Sequence, residues 1–108
     1  MGLVLLALAI GFEVAATLAL KASTSSPRPV AAATLALAGY GVAFFCLERA
    51  LHSLPVGLAY ALWAGIGTVG VALLGALLFG ETPPPTAWFG VALVVGGVAV
   101  LGASLPPS

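Results

Sequence analysis

Four long apolar segments, separated by short breaks, constrain the fold of this 108-residue chain more than any other feature. They cover approximately residues 3–20, 30–51, 56–79 and 87–105. Each is close to the ~20 residues that a helix needs to cross ~30 Å of hydrocarbon. Lipid offers no partners to backbone amides, so segments of this kind form helices. The sequence therefore predicts an all-α membrane protein, with four transmembrane helices in a single domain over residues 1–108.

The composition and the breaks argue against most soluble functions. Charged residues make up 6% of the chain, far below the ~25% of soluble domains. The breaks "KASTSSPRP", "ERALHSLP" and "GETPPP" are too short to hold a soluble domain. No Ser/His/acid set, metal-binding cluster or phosphate-binding loop is visible, so we expect neither an enzyme nor a cofactor or metal. The single cysteine, Cys46, excludes an intrachain disulfide, and a net charge of zero leaves no basic patch for nucleic acid.

The basic residues specify the orientation of the chain in the membrane only weakly. Lys21 and Arg28 lie in the first break, on one side, and Arg49 lies in the second break, on the other side. Orientation follows a clear imbalance of Lys and Arg between the two sides. A bias of 2 against 1 therefore allows the chain to insert both ways.

Glu13 is the one acid inside a predicted helix core, and the first segment has no other charge. An ionised carboxylate at that depth costs ~3 kcal/mol or more, which points to a functional residue. A structural ion pair is the alternative, although no basic residue lies within a predicted helix core. The neighbours at spacings of three and four share its helical face. We expect the following of them to line the same site: Ala9, Ile10, Ala16 and Thr17.

Aromatic residues on the second and third predicted helices are expected to complete this site. Trp63 and Tyr60 share a face of the third helix with Gly67, and Tyr40 and Phe44 are four residues apart on the second. A carboxylate supplies the charge that attracts a lipophilic cation, and aromatic rings supply quadrupole attraction and flat apolar surface. An interfacial aromatic belt is the alternative. Trp63 lies too deep for such a belt, whereas Tyr60 fits either interpretation.

Two glycines on the fourth predicted helix indicate a contact between helices. Gly90 and Gly97 lie seven residues apart, about two turns, and therefore share one face. Small residues let transmembrane helices approach closely. We therefore expect this face to form a dimer seam, with Val94 pointing away from it. Glycine is also frequent in transmembrane helices without such a role, so the pair alone is not decisive.

Motifs in all four segments together resemble those of the small multidrug resistance transporters. They are "EVAATLALK" around Glu13, "GYGVAFF" in the second segment, "LPVGLAYALWAGIGTVG" in the third, and the pair Gly90 and Gly97 in the fourth. The resemblance covers nearly the whole chain. It implies an antiparallel, dual-topology homodimer in the bacterial plasma membrane. The fourth helices would pair, and helices one to three of both chains would enclose the site.

The same resemblance implies a function, the proton-coupled export of lipophilic and quaternary ammonium cations. Protons and the cation would compete for Glu13 of both subunits, and only a loaded dimer would reorient readily between its two openings. Trp63, Tyr60 and Tyr40 would contact the cation. The expected partners are therefore a small cationic substrate, protons, membrane lipid and a second copy of the chain.

Two positions bear on the branch of the family that the chain is similar to. Guanidinium exporters carry a tryptophan at the position of Ala16, whereas promiscuous drug exporters carry a small residue there and a tyrosine that matches Tyr40. The asparagine that drug exporters often carry near the end of the fourth helix is absent from "VLGASLPPS". A guanidinium or polyamine exporter, a non-transport membrane subunit and a heterodimer with a paralogue therefore stay open. The natural substrate and the proton stoichiometry stay open too.

Overall fold

The computed structural model describes residues 1–104 and contains four long helices, α1 (Gly2–Ser23), α2 (Pro29–Ala50), α3 (Val56–Phe79) and α4 (Pro85–Ala103). Each helix is long enough and apolar enough to cross a membrane. No strand occurs within the described residues. The prediction of an all-α membrane protein with four transmembrane helices is confirmed.

The first helix extends beyond its expected end at residue 20. It continues through Lys21 to Ser23, where the chain leaves the apolar part of the sequence. The Ser23 hydroxyl donates a hydrogen bond to the carbonyl oxygen of Leu20 at 2.6 Å, and the Thr24 hydroxyl donates to that of Lys21 at 2.7 Å. The last carbonyl groups of a helix lack partners in the helix itself. These hydroxyls supply such partners, so the helix persists into the polar break.

Proline determines where α2 and α4 begin. α2 begins at Pro29 and α4 at Pro85, slightly before the expected starts. The first position of a helix needs no N–H partner, and the fixed φ of proline suits it. α4 ends at Ala103, and Leu105, the expected last residue, lies outside the described residues. The bounds of α3 coincide with the expected ones.

Small residues bring the helices close together. α1 packs against both α2 and α3, and α4 packs against α3. A Cβ atom placed on Gly39 of α2 would lie 3.1 Å from the Cβ atom of Ala16 on α1, so these two backbones are nearly in contact. Ala9 on α1 and Ala43 on α2 are fully buried. Close approach of this kind supplies the van der Waals contact that holds transmembrane helices together.

The apolar core lies toward the end of the bundle that holds the start of α1, the end of α2 and the start of α3. It contains Leu6, Ile10, Ala50, Leu54, Ala59 and Leu62. The later parts of α1 and α3 extend beyond this cluster. The described surface is rich in exposed Leu, Val and Phe side chains, as expected for helices that face lipid. The core thus fixes one end of the α1–α3 pair and leaves the other end free to enclose a cavity.

Candidate functional site

A cavity of about 520 Å³ lies between α1 and α3, partly open to the surroundings. Its volume is within the range of about 300 to 1,000 Å³ of small-molecule sites. One carboxyl group, two threonines and one tryptophan line it, together with small or apolar residues. The lining residues are Glu13, Thr17, Trp63, Ala64, Gly67, Thr68, Val71 and Ala72.

The carboxyl group of Glu13 lies against the backbone of α3. The Thr17 hydroxyl, one turn further along α1, is 3.4 Å from Oε1 and donates to it. Oε2 is buried and has no hydrogen-bond partner within residues 1–104. A Cβ atom on Gly67 would be 2.7 Å from Oε2, so a glycine is what makes room for the carboxyl group. Glu13 belongs to neither of the ion pairs in the described residues, which gives the structural ion-pair alternative no support.

A short chain of hydrogen bonds connects Glu13 to α2. The Thr17 hydroxyl oxygen is 2.6 Å from the phenol oxygen of Tyr40. Since Thr17 also approaches Glu13, one hydroxyl joins the acid on α1 to the phenol on α2. Hydrogen bonds of this kind restrict the rotamers of all three side chains. Within the protomer, Tyr40 is therefore linked to the acid through Thr17 and does not contact it directly.

An aromatic row runs from Tyr40 on α2 to α3. Phe44 follows Tyr40 with ring centroids 6.5 Å apart, and Trp63 follows Phe44 at 5.6 Å with the rings at 67°. Tyr60 is 5.8 Å from Trp63. These distances are typical of favourable aromatic pairs. Trp63 thus lines the cavity, and Tyr60 and Phe44, both more than half exposed, flank its ring.

The indole nitrogen of Trp63 is the second unpaired polar atom of the site. Nε1 is buried and has no hydrogen-bond partner within the part of the chain that the structure describes. Such a buried atom is costly unless it is paired. An unpaired donor on Trp63 and an unpaired acceptor on Glu13 are therefore carried by two residues that line the same cavity.

Three of the small and apolar residues near Glu13 lie in helix packing and not on the cavity wall. Ile10 belongs to the apolar core, Ala9 is fully buried, and Ala16 is packed against Gly39 of α2. The helical spacing identified them correctly as neighbours of Glu13 along α1. Within the protomer, however, α2 and the apolar core cover these three side chains. They therefore hold α1 in position and do not line the cavity.

Other lining residues were not anticipated from the sequence. Thr68, Val71 and Ala72 extend the cavity along α3 beyond Gly67. The helical spacing could have predicted two of them. Thr68 follows Ala64 by four residues and Val71 follows Gly67 by four, so each shares the face of the earlier residue. The Thr68 hydroxyl donates to the carbonyl oxygen of Ala64 at 2.7 Å, so it is satisfied within its own helix.

The glycines of α4 lie beside open space. Apart from the neighbouring backbone of α4, no atom of residues 1–104 would lie within 4 Å of a Cβ atom on Gly90 or Gly97, and no described residue of α4 is buried. Val94 does not point away from the two glycines as expected, because it is four residues from Gly90 and three from Gly97 and so lies on their side of α4. It lies with Val98 against Gly65 of α3, where an added Cβ atom would be 3.6 Å and 2.6 Å from the two valines, respectively. Val94 is therefore part of the α3–α4 contact.

Four apolar membrane helices, with a cavity between α1 and α3 that one acid and a tryptophan line, define a small multi-pass membrane protein. Residues 1–94 match the family described as Small Multidrug Resistance protein. The chain belongs to this family of membrane transporters, and it is a multi-pass protein of the bacterial plasma membrane. The resemblance identified from the motifs is thereby confirmed.

Individual relatives place the chain near proteins named for resistance to quaternary ammonium compounds. It is 47% identical over 98 residues to the quaternary ammonium compound-resistance protein QacF of Klebsiella aerogenes, covering 91% of this chain and 88% of the relative. It is 41% identical to QacE of Escherichia coli, covering 93% and 90%. It is also 45% identical over 67 residues to the probable guanidinium efflux system subunit GdnD of Bacillus licheniformis, covering 62% and 64%.

Proposed function

We propose that this protein is a proton-coupled antiporter that exports lipophilic and quaternary ammonium cations. The observation that carries the proposal is the environment of Glu13, a cavity-lining acid whose Oε2 atom has no hydrogen-bond partner in the described part of the protomer. That oxygen can hold a proton or pair with a cation, but not both at once. Competition for one carboxyl group couples the two fluxes in opposite directions when only the loaded transporter reorients between its two openings.

The walls of the cavity suit a cation that makes no hydrogen bonds. A quaternary ammonium group has no N–H, so it is recognised by charge, by aromatic faces and by apolar contact. Glu13 supplies the charge, Trp63 supplies an aromatic face, and Val71 and Ala72 supply apolar surface. The relatives named for quaternary ammonium resistance support the same substrate class.

The proposed functional unit is an antiparallel homodimer. A second protomer would cover the open side of the cavity and would contribute its own Glu13. The bare face of α4 around Gly90 and Gly97 supplies a surface for this contact, since small residues favour helix pairing. The Lys and Arg bias of 2 against 1 allows one chain to adopt both orientations. Two inverted copies would make the two openings of the transporter nearly equivalent.

A guanidinium or polyamine exporter is the second candidate. The relative named as a guanidinium efflux subunit supports it, and the unpaired Glu13 oxygen could accept a guanidinium N–H. Ala16 favours the first candidate, because guanidinium exporters of the family carry a tryptophan at this position, whereas here a small residue packs against Gly39. A heterodimer with a paralogue would retain the same Glu13 chemistry.

Transport by reconstituted protein tests this proposal directly. In liposomes with an imposed pH gradient, we expect uptake of a quaternary ammonium cation that is coupled to proton movement. Guanidinium and a polyamine, measured in parallel, should be transported more slowly. A preference for guanidinium would assign the protein to the second candidate, and no gradient-driven uptake of any of the three would contradict both.

Trp63→Ala is expected to weaken the binding of aromatic cations. The loss of a desolvated cation–π contact should cost about 1 to 2 kcal/mol, or about 5- to 30-fold in Kd. A titration with a fluorescent lipophilic cation measures this change. The matched control is Trp88→Ala, which removes the same side chain from α4, away from the cavity. Equal losses for both variants would remove Trp63 from the site.

A further inference from the structure

A second charged group lies on the same stripe of α1 as Glu13. Thr17 and Lys21 follow Glu13 at intervals of four residues and so share its face. The Lys21 ammonium nitrogen is 3.8 Å from Oε2 of Glu81, which lies in the break between α3 and α4. Eight residues of helix place the Lys21 backbone about 12 Å along α1 from that of Glu13.

The carboxyl group of Glu81 also lies against Gly75 near the end of α3. Gly75 continues the spacing of the lining residues Thr68 and Val71, and it is buried. A Cβ atom on Gly75 would be 2.6 Å from Oε1 of Glu81, so the carboxyl group rests directly on the backbone there. Gly80 turns the chain back with a left-handed φ of 65°. This conformation favours glycine.

The ion pair therefore joins the end of α1 to the break after α3, beyond the residues that line the Glu13 cavity. Both side chains are about half exposed, at 55% and 49%. A pair of this exposure contributes little to folding stability. Its charges nevertheless act on ions over a Debye length, about 10 Å at 0.1 M salt. An uncompensated Lys21 would repel a cation that approached Glu13 from this end of the helices.

We propose that Glu81 assists the access of cationic substrates to Glu13 in the transporter. Its carboxylate cancels the charge of Lys21 at this end of the helices, so that a cationic substrate can approach Glu13. The inference rests on the proposed function, because it concerns the passage of a cation. In an antiparallel dimer each side of the membrane would carry one such pair.

Glu81→Gln tests the proposal in proteoliposomes with tetraphenylphosphonium as the cation. The variant should raise KM about three- to tenfold at ~10 mM ionic strength, where the Debye length is ~30 Å, and leave it near wild type at ~1 M. The maximal rate should not change. Lys21→Gln/Glu81→Gln, which restores neutrality, should return KM to the wild-type value. Glu48→Gln, which removes an exposed carboxylate paired with His52 at the other end of the bundle, should have no effect.

Three results would overturn the proposal while wild-type transport itself remained intact. The first is an unchanged KM for Glu81→Gln at low ionic strength. The second is a raised KM that the double variant does not correct. The third is a changed maximal rate with unchanged KM in both Glu81→Gln and Lys21→Gln. This result would mean that the ion pair affects the conformational change of the transporter and not the access of the cation. Absence of transport in the wild type would instead contradict the proposed function.

Discussion

Glu13→Gln is expected to abolish proton-driven cation uptake and to leave a folded dimer. Glutamine has the same shape and can still accept the Thr17 hydrogen bond, but it neither ionises nor carries a proton across the cycle. Among the described residues, Glu13 is the acid that lines the α1–α3 cavity, so no neighbour can replace it. Uptake under a pH gradient measures the loss, while circular dichroism and crosslinking measure helix content and dimerisation.

The control for this variant is Glu48→Gln, the same chemical change at an exposed site near the end of α2. It should transport like the wild type.

The pH dependence of cation binding gives a second readout. Binding to the wild type should weaken as the pH falls, because protons occupy Glu13, whereas residual binding to Glu13→Gln should not depend on pH. Gradient-driven uptake at the wild-type rate in Glu13→Gln would remove this residue from the exchange mechanism.

Gly97→Val is expected to weaken dimerisation and, with it, transport. An added Cβ atom on Gly97 would meet no described atom of another helix within 4 Å, so the protomer itself leaves room at this position. In a close contact between two α4 helices, the added side chain would push the partner away. Overpacking of a tight contact costs about 1 to 3 kcal/mol for each site, and a symmetric seam contains the site twice. Energy transfer between labelled protomers in lipid measures the change in Kd.

Gly96→Val is the matched control, because it makes the same substitution one position earlier. Gly96 also lies beside open space, but it points about 100° away around the helix. It should dimerise like the wild type, and an equal loss of dimerisation in both variants would locate the seam elsewhere.

The same preparation also reports the orientation of the chain in the membrane. With Cys46 replaced by alanine, a Ser25→Cys label in the first break should react from both sides, and reaction from one side alone would contradict dual insertion.

The sequence sufficed to predict the helices and the acid that lines the cavity. Transmembrane segments must pair their backbone internally, so length and hydropathy alone indicate helices. A carboxylate at membrane depth is costly enough to mark Glu13 without any structure. Helical spacing also placed Trp63 and Gly67 on a common face, and the structure brings both to the Glu13 cavity. These inferences rest on large energies or on the fixed geometry of a helix.

The tertiary structure alone decided which side of each helix is packed and which is open. Ala16 and Thr17 are adjacent in the sequence and follow Glu13 by three and four residues. Ala16 is nevertheless buried against Gly39, while Thr17 lines the cavity. Val94 was expected to face outward and instead packs on α3. In a soluble helix, polar residues would mark the outer face. Lipid is as apolar as a protein core, so helices that are apolar all round carry little information about direction, and only the fit of their side chains determines it.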